Sequence, residues 1–474
     1  MRLAAARTPV GLELAADDAL RIERRLRPLF QGLPPHSGVA VAVVQGDQRT
    51  VACRGYTDPA ALRPVRADTR FELGSITKTF TALLLAEMAA RGEVRYDDPI
   101  DRYLPAGAVP GYPTQRPITL LHLATHTSGL PRLPVGLLPS TTPQWFTRPC
   151  ATFGEAHLLR SLARTPVRGT PGTQVRYSSL GCGLLGLLLE NAAGTRYEDL
   201  LASRVCGPLG LLDTSCDPGG QIGSDYRRGR WVPSFRIPAL PGAAALRSSA
   251  DDMLRYLQAL VVDGAAESTG STLRTALGEV RRPRVAWRLA GTRICLGWKQ
   301  RPIELLPAEP GRDAERTEAA ARRRADSAAD TLGGLAAPWA PAVRNRPRQA
   351  DRTEADWTEE AVHEATARRT GSRAPAARDS GTRNTAVLRG GGEGGSARPN
   401  GRAGNDGHRA PDREVQELFF HEGGTRGFIA FAGFNPKAAT GLVALVSSPP
   451  TRRRQFLRTA QETLHGLAAD QLFR

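Results

Sequence analysis

The sequence predicts an α+β fold, and the order of its helical and strand-like segments supports this prediction. Residues 16–31 and 452–473, near the two ends of the chain, carry apolar side chains at helical spacing. Strand-like runs lie next to both segments, whereas residues from about 75 to 265 alternate amphipathic helices with Pro- and Gly-rich loops. Strands and helices gathered in separate blocks are typical of the α+β class.

Two groups of strands are expected. Residues 39–58 read VAVAVVQGDQRTVACRGYTD, in which two β-branched runs surround a Gly-Asp turn, the pattern of a hairpin. Residues 417–448 read ELFFHEGGTRGFIAFAGFNPKAATGLVALVSS, with three strand-like runs separated by Gly and Asn-Pro turns. Between these groups, residues 75–91 favour a helix with apolar side chains near one face, and Gly92 is a natural stop.

One long segment departs from this globular pattern. Residues 306–413 are rich in Arg, Ala, Gly, Ser and Thr and poor in large apolar side chains. Such a segment buries too little apolar surface to offset its ordering entropy, so we predict a disordered, low-complexity insertion. The remaining chain is predicted to form one domain from residues 15–305 and 414–472, preceded by a flexible N-terminus at 1–14. Its parts would be a sheet region, 15–72 with 414–472, and a mainly helical region at about 75–265.

The composition argues against several classes of protein. The 474 residues carry a formal net charge of +17, but the basic residues are spread along the chain without a recognised nucleic-acid-binding motif, so no nucleic-acid partner is expected. No run of 18 apolar residues predicts a membrane span. The N-terminal stretch does not resemble a secretory signal peptide, which favours a cytoplasmic location unless the start site is misassigned. The six scattered cysteines are expected to be free thiols.

A Ser-x-x-Lys sequence carries the first indication of chemistry. Residues 71–85 read FELGSITKTFTALLL, and Lys78 is one of only three lysines in the chain. On the predicted helix Ser75 would lie at the N-terminus, where free N–H groups favour a developing oxyanion, and Lys78 one turn further on the same side. A desolvated lysine can lose its proton and act as a base, whereas arginine cannot. Alone this is a weak signal, because serine is also a frequent helix cap.

Further stretches raise its specificity. FELGSITKTFTALLLAEMAARGEVRYDDPIDRYLP is similar to the nucleophile helix and following loop of the serine β-lactamase and penicillin-binding-protein superfamily. Four later stretches resemble further motifs of this superfamily and occur in the family order. They are ITLLHLATHTSGLP, PGTQVRYSSLGCGLLG followed by GPLGLLDTS, PGAAALRSSADDMLRYLQAL, and HEGGTRGFIAFAGFNP. The chain thus resembles the class C-like branch, which also includes D-alanyl-D-alanine carboxypeptidases, D-aminopeptidases and carboxylesterases. The resemblance implies a mixed, mostly antiparallel sheet flanked by helices, with the active site in a cleft beside a mainly helical region.

The resemblance also assigns residues to roles. Ser75 matches the acylated nucleophile, Lys78 its base partner, and Tyr177 the tyrosine that relays protons to the leaving group and from the attacking water. The backbone N–H groups of Ser75 and Gly424 match the oxyanion hole. The family implies no organic cofactor and no metal.

The strand motif HEGG supplies two further expectations. Gly423 and Gly424 suit a place where the backbone must approach the substrate closely. His421 occupies the position of the lysine in the family's Lys-Thr-Gly and could bind a substrate carboxylate or tune Tyr177.

One position departs from the family pattern. The Tyr-x-Asn of the family is Tyr177-Ser178-Ser179 here, so Ser179 replaces an asparagine that contacts the acyl amide of the substrate. A serine hydroxyl is shorter and offers fewer hydrogen-bonding sites than a carboxamide. This favours an esterase or peptidase-like hydrolase over a β-lactamase with efficient turnover.

Two histidines are further candidates, for a metal site. His122 and His126 lie four residues apart, as a helical metal pair would, but no carboxylate or third ligand stands nearby in the sequence. We expect structural roles for both.

The sequence leaves several functions open. A serine hydrolase acting on a small-molecule ester, amide or β-lactam-like substrate is the first, with a β-lactamase or D-alanyl-D-alanine carboxypeptidase as an alternative. A non-catalytic relative that binds a ligand is another. The 306–413 insertion could also serve as a partner-binding arm or a mobile cover over the site.

Overall fold

An eight-stranded sheet lies at the centre of the structure, a computed structural model. Its strand order is β2-β1-β14-β13-β12-β11-β10-β9, and each neighbouring pair is antiparallel. The structure describes residues 16–34, 37–58, 63–111, 116–137, 153–217, 219, 226–227, 230–231, 237–261, 270–287, 291–305, 414–425, 427–447 and 453–472.

The elements follow the order of strands, helices and strands that the sequence predicts. The strands are β1 (Val39–Gln45), β2 (Gln48–Arg54), β3 (Tyr56–Asp58), β4 (Arg63–Pro64), β5 (Phe71–Glu72), β6 (Tyr226–Arg227), β7 (Arg230–Trp231), β8 (Arg247–Ser248), β9 (Val285–Ala286), β10 (Arg293–Ile294), β11 (Lys299–Leu305), β12 (Glu414–Gly424), β13 (Phe428–Asn435) and β14 (Thr440–Ser447). The α-helices are α1 (Ala16–Phe30), α2 (Thr77–Ala90), α3 (Leu120–Ala124), α4 (Glu155–Ala163), α5 (Ser179–Ala193), α6 (Tyr197–Leu201), α7 (Pro241–Ala244), α8 (Ala250–Val261), α9 (Ser271–Glu279) and α10 (Arg453–Leu472). Tighter 3₁₀ turns span Gly74–Ile76 and Ile100–Tyr103, and a π turn spans Ala202–Cys206.

Both faces of the sheet are covered, as the unbroken apolar run of β1 requires. Alternate β1 residues point to opposite faces of a sheet. Val41 and Val43 pack with the terminal helices α1 and α10, whereas Ala40 and Ala42 pack with the helical region. The core is therefore two apolar layers separated by the sheet, and the helical region lies on one side only.

The helix α2 connects this core to the end of β12. Its residues from Thr77 to Met88 are buried, so it lies inside the helical region rather than on its surface. The 3₁₀ turn Gly74–Ile76 leads into α2 and packs against the end of β12. This arrangement brings the Ser-x-x-Lys sequence and the HEGG sequence to the same end of the sheet.

The predicted α+β class with a mostly antiparallel sheet is confirmed. The terminal helices, the hairpin of β1 and β2 and the three C-terminal strands form where the sequence predicts them. The predicted helix at 75–91 begins instead with a 3₁₀ turn that contains Ser75, and the α-helix follows it. The N-terminus at 1–14 and the insertion at 306–413 lie outside the described residues. None of the described helices is both long and apolar enough to cross a bilayer.

Candidate active site

The predicted nucleophile and base lie within hydrogen-bonding distance of each other. The Nζ atom of Lys78 donates to Ser75 Oγ at 3.0 Å. Lys78 is 1% exposed, whereas Ser75 is partly exposed. A buried amine beside a hydroxyl that solvent can reach is the pair needed to activate a serine nucleophile, because only the hydroxyl must meet the substrate.

A second hydrogen bond holds the amine in place. Lys78 Nζ also donates to the carbonyl oxygen of Ala243 at 2.8 Å. Ala243 belongs to α7. A further hydrogen bond joins α7 to α2, because Thr81 Oγ1, one turn beyond Lys78, donates to the Gly242 carbonyl at 2.8 Å. None of the ion pairs between described residues involves Lys78. Its described polar partners are therefore a hydroxyl and a carbonyl, not a carboxylate.

The ring of Tyr177 also lies near this amine. Lys78 Nζ is 5.2 Å from the centre of the Tyr177 ring, and the guanidinium carbon of Arg132 is 5.7 Å from it. Cations at this distance are attracted to the ring face. The structure thus brings together Ser75, Lys78 and Tyr177, which are 102 positions apart at their extremes in the sequence.

Three glycines form the contact between the nucleophile turn and β12. Gly74 has a left-handed φ of +52°, and a Cβ there would lie 2.5 Å from the backbone nitrogen of Gly424. A Cβ on Gly423 would lie 1.9 Å from the carbonyl oxygen of Leu73. The absence of side chains lets the two backbones touch directly beside Ser75. The expected close approach of Gly423 and Gly424 to a substrate stays a prediction.

Arg453, at the start of α10, fills the space beside Gly424. Its Nη2 donates to the Gly423 carbonyl at 2.9 Å, and a Cβ on Gly424 would fall 1.5 Å from that atom. Burial lowers the pKa of Arg453. Glu422 is held on the same segment by Lys299 Nζ at 2.9 Å and by Gln461 Nε2 at 3.0 Å. Side chains of β11 and α10 therefore fix the HEGG backbone.

These contacts predict unequal effects of adding one methyl group. Gly423→Ala should lower the free energy of unfolding by about 2 kcal/mol or more, because the new Cβ meets a backbone carbonyl that cannot move alone. Gly424→Ala should cost less in an Arg453→Ser background than in the wild type, because there the colliding atom is the end of a long side chain. Urea denaturation of the single and double variants measures both effects. Equal costs at the two glycines, or simple additivity with Arg453→Ser, would contradict this packing.

His421 is a buried, neutral side chain of the site. It is 3% exposed, and its Nδ1 lies 2.9 Å from the carbonyl oxygen of Glu422. A carbonyl can only accept, so Nδ1 carries the proton and Nε2 is left as an acceptor. Burial, together with the charges of Lys299 and Lys78, holds the pKa of His421 well below its usual value. A neutral acceptor suits a substrate N–H or O–H, or the hydroxyl of Tyr177, better than a substrate carboxylate.

The buried histidines predict a pH dependence of stability. Burial also lowers the pKa of His126 from 6.5 to about 3, with Lys78 and Lys299 adding to the effect. Both rings stay neutral in the folded protein, whereas each takes up a proton in the unfolded chain below its ordinary pKa. The unfolded state then binds more protons, so the free energy of unfolding falls as the pH drops below 6.5.

The expected slope is up to about 1.4 kcal/mol per pH unit for each histidine. Urea denaturation between about pH 5 and pH 8 measures it. The double variant His126→Asn/His421→Asn should show a flatter profile over the same range. A wild-type profile without a decrease below pH 6.5 would show that these rings are not buried as neutral groups.

Ser179, which replaces the family asparagine, lies at the first turn of α5. Its backbone N–H donates to the carbonyl oxygen of Arg132 at 3.0 Å, and its side chain is partly exposed. The preceding Ser178 caps the helix, with its Oγ accepting from Gly181 N–H at 2.9 Å. The predicted substrate-contacting position is therefore at a helix start next to Tyr177, where a short hydroxyl now stands.

The histidine pair at 122 and 126 does not share a helix face. The helix α3 ends at Ala124, and His126 has a left-handed φ of 59°. His122 Nδ1 accepts from Thr119 N–H at 3.2 Å as part of a helix cap. Within the described residues, no group of three or more His, Cys, Asp and Glu side chains could hold a metal ion.

Sequence reasoning missed three contributors to the site: Arg132, Ala243 and Arg453. Arg132 and Arg453 are two of many arginines in an arginine-rich chain, so nothing in the sequence distinguishes them. Ala243 acts only through its backbone carbonyl.

Comparisons with known proteins show what the chain is similar to. Residues 26–307 match the family described as Beta-lactamase. The chain is 33% identical over 230 residues to the D-alanyl-D-alanine-carboxypeptidase/endopeptidase AmpH of Escherichia coli K12, covering 47% of this chain and 57% of that protein. It is 31% identical over 291 residues to Esterase EstB of Burkholderia gladioli, covering 54% of this chain and 71% of that protein.

A solved structure shows the same fold. The beta-lactamase/D-alanine carboxypeptidase from Pseudomonas syringae superposes with a TM-score of 0.59 at 20% identity, covering 94% of this chain and 99% of the other. Against AmpH, by contrast, the chain spans little more than half the length of its relative.

Proposed function

Because the chain belongs to the beta-lactamase family, we propose that it is a serine hydrolase that cleaves an ester or amide through an acyl-enzyme on Ser75. The observation that carries this proposal is the 3.0 Å contact between Ser75 Oγ and the buried amine of Lys78. The amine is 1% exposed, and its described hydrogen-bond partners are the Ser75 hydroxyl and the Ala243 carbonyl, so it is placed to exchange a proton with Ser75.

The reaction runs in two halves. In the first, Lys78 Nζ takes the proton of Ser75 as Oγ attacks the carbonyl carbon. The backbone N–H groups of Ser75 and Gly424 stabilise the oxyanion. The bond to the leaving group breaks, and Tyr177 supplies the proton that the departing oxygen or nitrogen needs. In the second half, water gives a proton to Tyr177 and attacks the acyl carbonyl. The bond to Ser75 Oγ then breaks, Lys78 returns its proton to Oγ, and the acid is released.

Ester hydrolysis is the first choice of substrate chemistry. Ser179 offers one hydroxyl where the family pattern has a carboxamide, so a substrate amide loses a partner there. An ester needs no such partner. The similarity to Esterase EstB supports this choice.

A second candidate is a β-lactamase or D-alanyl-D-alanine carboxypeptidase. The observation that favours it is the similarity to AmpH and to the Beta-lactamase of Escherichia coli K12, which is 32% identical over 243 residues. A ligand-binding relative without catalysis is the third candidate.

The cytoplasmic location expected from the sequence stays a prediction, which fractionation of cells expressing the chain would test.

A panel of three substrates separates these candidates. Purified protein is incubated with an aryl ester, a chromogenic cephalosporin and a peptide ending in D-Ala-D-Ala, and initial rates are compared. We expect the largest kcat/KM for the ester. Faster cleavage of the cephalosporin or of the peptide would favour the second candidate. Turnover of none by folded protein, without labelling of Ser75 by a fluorophosphonate, would favour the non-catalytic relative.

A further inference from the structure

His126 holds the backbone on both sides of Tyr177. Its carbonyl oxygen accepts from Arg176 N–H at 2.7 Å, and its ring Nδ1 accepts from Ser178 N–H at 3.3 Å. These donors are the residues immediately before and after Tyr177. One residue thereby fixes the two peptide units that determine where the tyrosine lies.

The ring of His126 also packs directly on the ring of Tyr177. Their centroids are 4.5 Å apart, with a tilt of 42° between the planes. The left-handed backbone of His126, with φ at 59°, is uncommon for a residue other than glycine. Such a conformation persists only where surrounding contacts require it, and it turns the ring back toward Tyr177.

The hydrogen bond to Ser178 fixes the form of the imidazole. A backbone N–H can only donate, so Nδ1 is unprotonated and the ring proton resides on Nε2. His126 is 6% exposed and lines a cleft together with Tyr177, His421 and Lys299. The charged side chains that act on it are Lys78 and Lys299, and Cys182 Sγ lies 3.8 Å from its Nδ1. A neutral ring is thus the form that both the geometry and its surroundings favour.

We propose that His126 is a positioning residue for Tyr177, which it orients for proton transfer to the leaving group through the Arg176 and Ser178 backbone bonds and the ring contact. This inference rests on the proposed function, because it assigns the step that His126 serves. Proton transfer requires donor and acceptor at hydrogen-bonding distance, so a small displacement of the Tyr177 hydroxyl slows that step selectively. Attack by Ser75, which depends on Lys78, does not require it.

The consequence is a loss of activity that depends on the leaving group. An alkoxide or amine must be protonated as it departs, whereas p-nitrophenolate and fluoride leave as anions. Disturbing Tyr177 should therefore slow acylation by an alkyl ester and spare acylation by a p-nitrophenyl ester. The two are compared through kcat/KM, which does not include the deacylation step that both esters share. Phosphonylation of Ser75 by a fluorophosphonate should proceed at the wild-type rate.

Two variants of nearly equal shape isolate the hydrogen bond to Ser178. His126→Asn places an oxygen acceptor near the position of Nδ1 and tolerates the left-handed backbone. His126→Leu has a similar size and branching but no acceptor. Both lose the imidazole ring, and they differ in the acceptor and in how well they tolerate the left-handed backbone. Their rates are therefore compared per amount of folded protein. Thermal melts of both, and of the wild type, measure any loss of folded protein.

We expect His126→Leu to lower kcat/KM about 100-fold for a methyl ester and less than about 5-fold for the p-nitrophenyl ester of the same acid. His126→Asn should recover most of the methyl ester activity. A uniform loss for both esters, or equal losses in both variants, would overturn the positioning role. If wild-type protein shows neither labelling nor ester hydrolysis, the proposed function itself fails, and the two failures are thus distinguishable.

Discussion

Replacing Ser75 with alanine should lower kcat/KM for ester hydrolysis by at least about 10⁴-fold. The hydroxyl is the atom that forms the acyl-enzyme, and its 3.0 Å hydrogen bond to Lys78 shows that no other described side chain stands between nucleophile and base. The variant should keep the wild-type melting temperature, because Ser75 is partly exposed and the change removes one oxygen.

A matched change elsewhere controls for nonspecific effects. Ser271→Ala removes a hydroxyl from the exposed first residue of α9 and should leave both rate and stability unchanged. Rates are measured with the aryl ester, and folding by circular dichroism. Residual activity above about one hundredth of wild type in Ser75→Ala would mean that another group carries the chemistry.

Replacing Lys78 should have the second largest effect. Lys78→Met removes the base, and Lys78→Arg keeps a cation that cannot lose its proton near neutral pH. Both should lower kcat/KM by about 10²- to 10⁴-fold, the usual contribution of a positioned base. Equal losses in the two variants would show that proton transfer, and not positive charge, is what the reaction needs from this position.

Lys78→Met should keep or gain stability, although it loses activity. A lysine that is 1% exposed is costly to desolvate, whereas a methionine of similar length is not. Lys78→Met should therefore melt at or above the wild-type temperature while being nearly inactive. Lys437→Met, at an exposed turn, serves as the control and should leave activity unchanged. A Lys78→Arg protein with near wild-type activity would contradict the base role.

The sequence predicts the local parts of this site well. The spacing of Ser75 and Lys78 places them on the same side of one turn, and this relation depends only on helix geometry. The strands around HEGG are predicted from β-branched and aromatic runs. The role of Gly423 and Gly424 in approaching a substrate stays a prediction. The structure adds that Gly74 meets Gly424, a contact between segments 350 positions apart.

The parts that escape prediction depend on such distant contacts. Lys78 is held by the Ala243 carbonyl, which is 165 positions away and carries no chemical signal in the sequence. From the sequence we expect only a structural role for His126. Its contacts with Tyr177 form when the segments at 126 and 176–178 pair through their backbones, and such pairing is not visible in the sequence. The contribution of Arg453 follows only from the folded structure, in which its side chain occupies the space next to Gly424.

The most direct measurement of the central claim is the trapping of the acyl-enzyme. Wild-type protein and Ser75→Ala are mixed with an excess of a reactive ester and separately with a penicillin, quenched in acid within the steady state, and analysed by intact mass and by peptide mapping. We expect the mass of wild type to rise by one acyl group, located on the peptide that contains Ser75, and no increase in Ser75→Ala. An adduct on another residue, or turnover of the ester by wild type with an equal adduct in Ser75→Ala, would contradict an acyl-enzyme on Ser75.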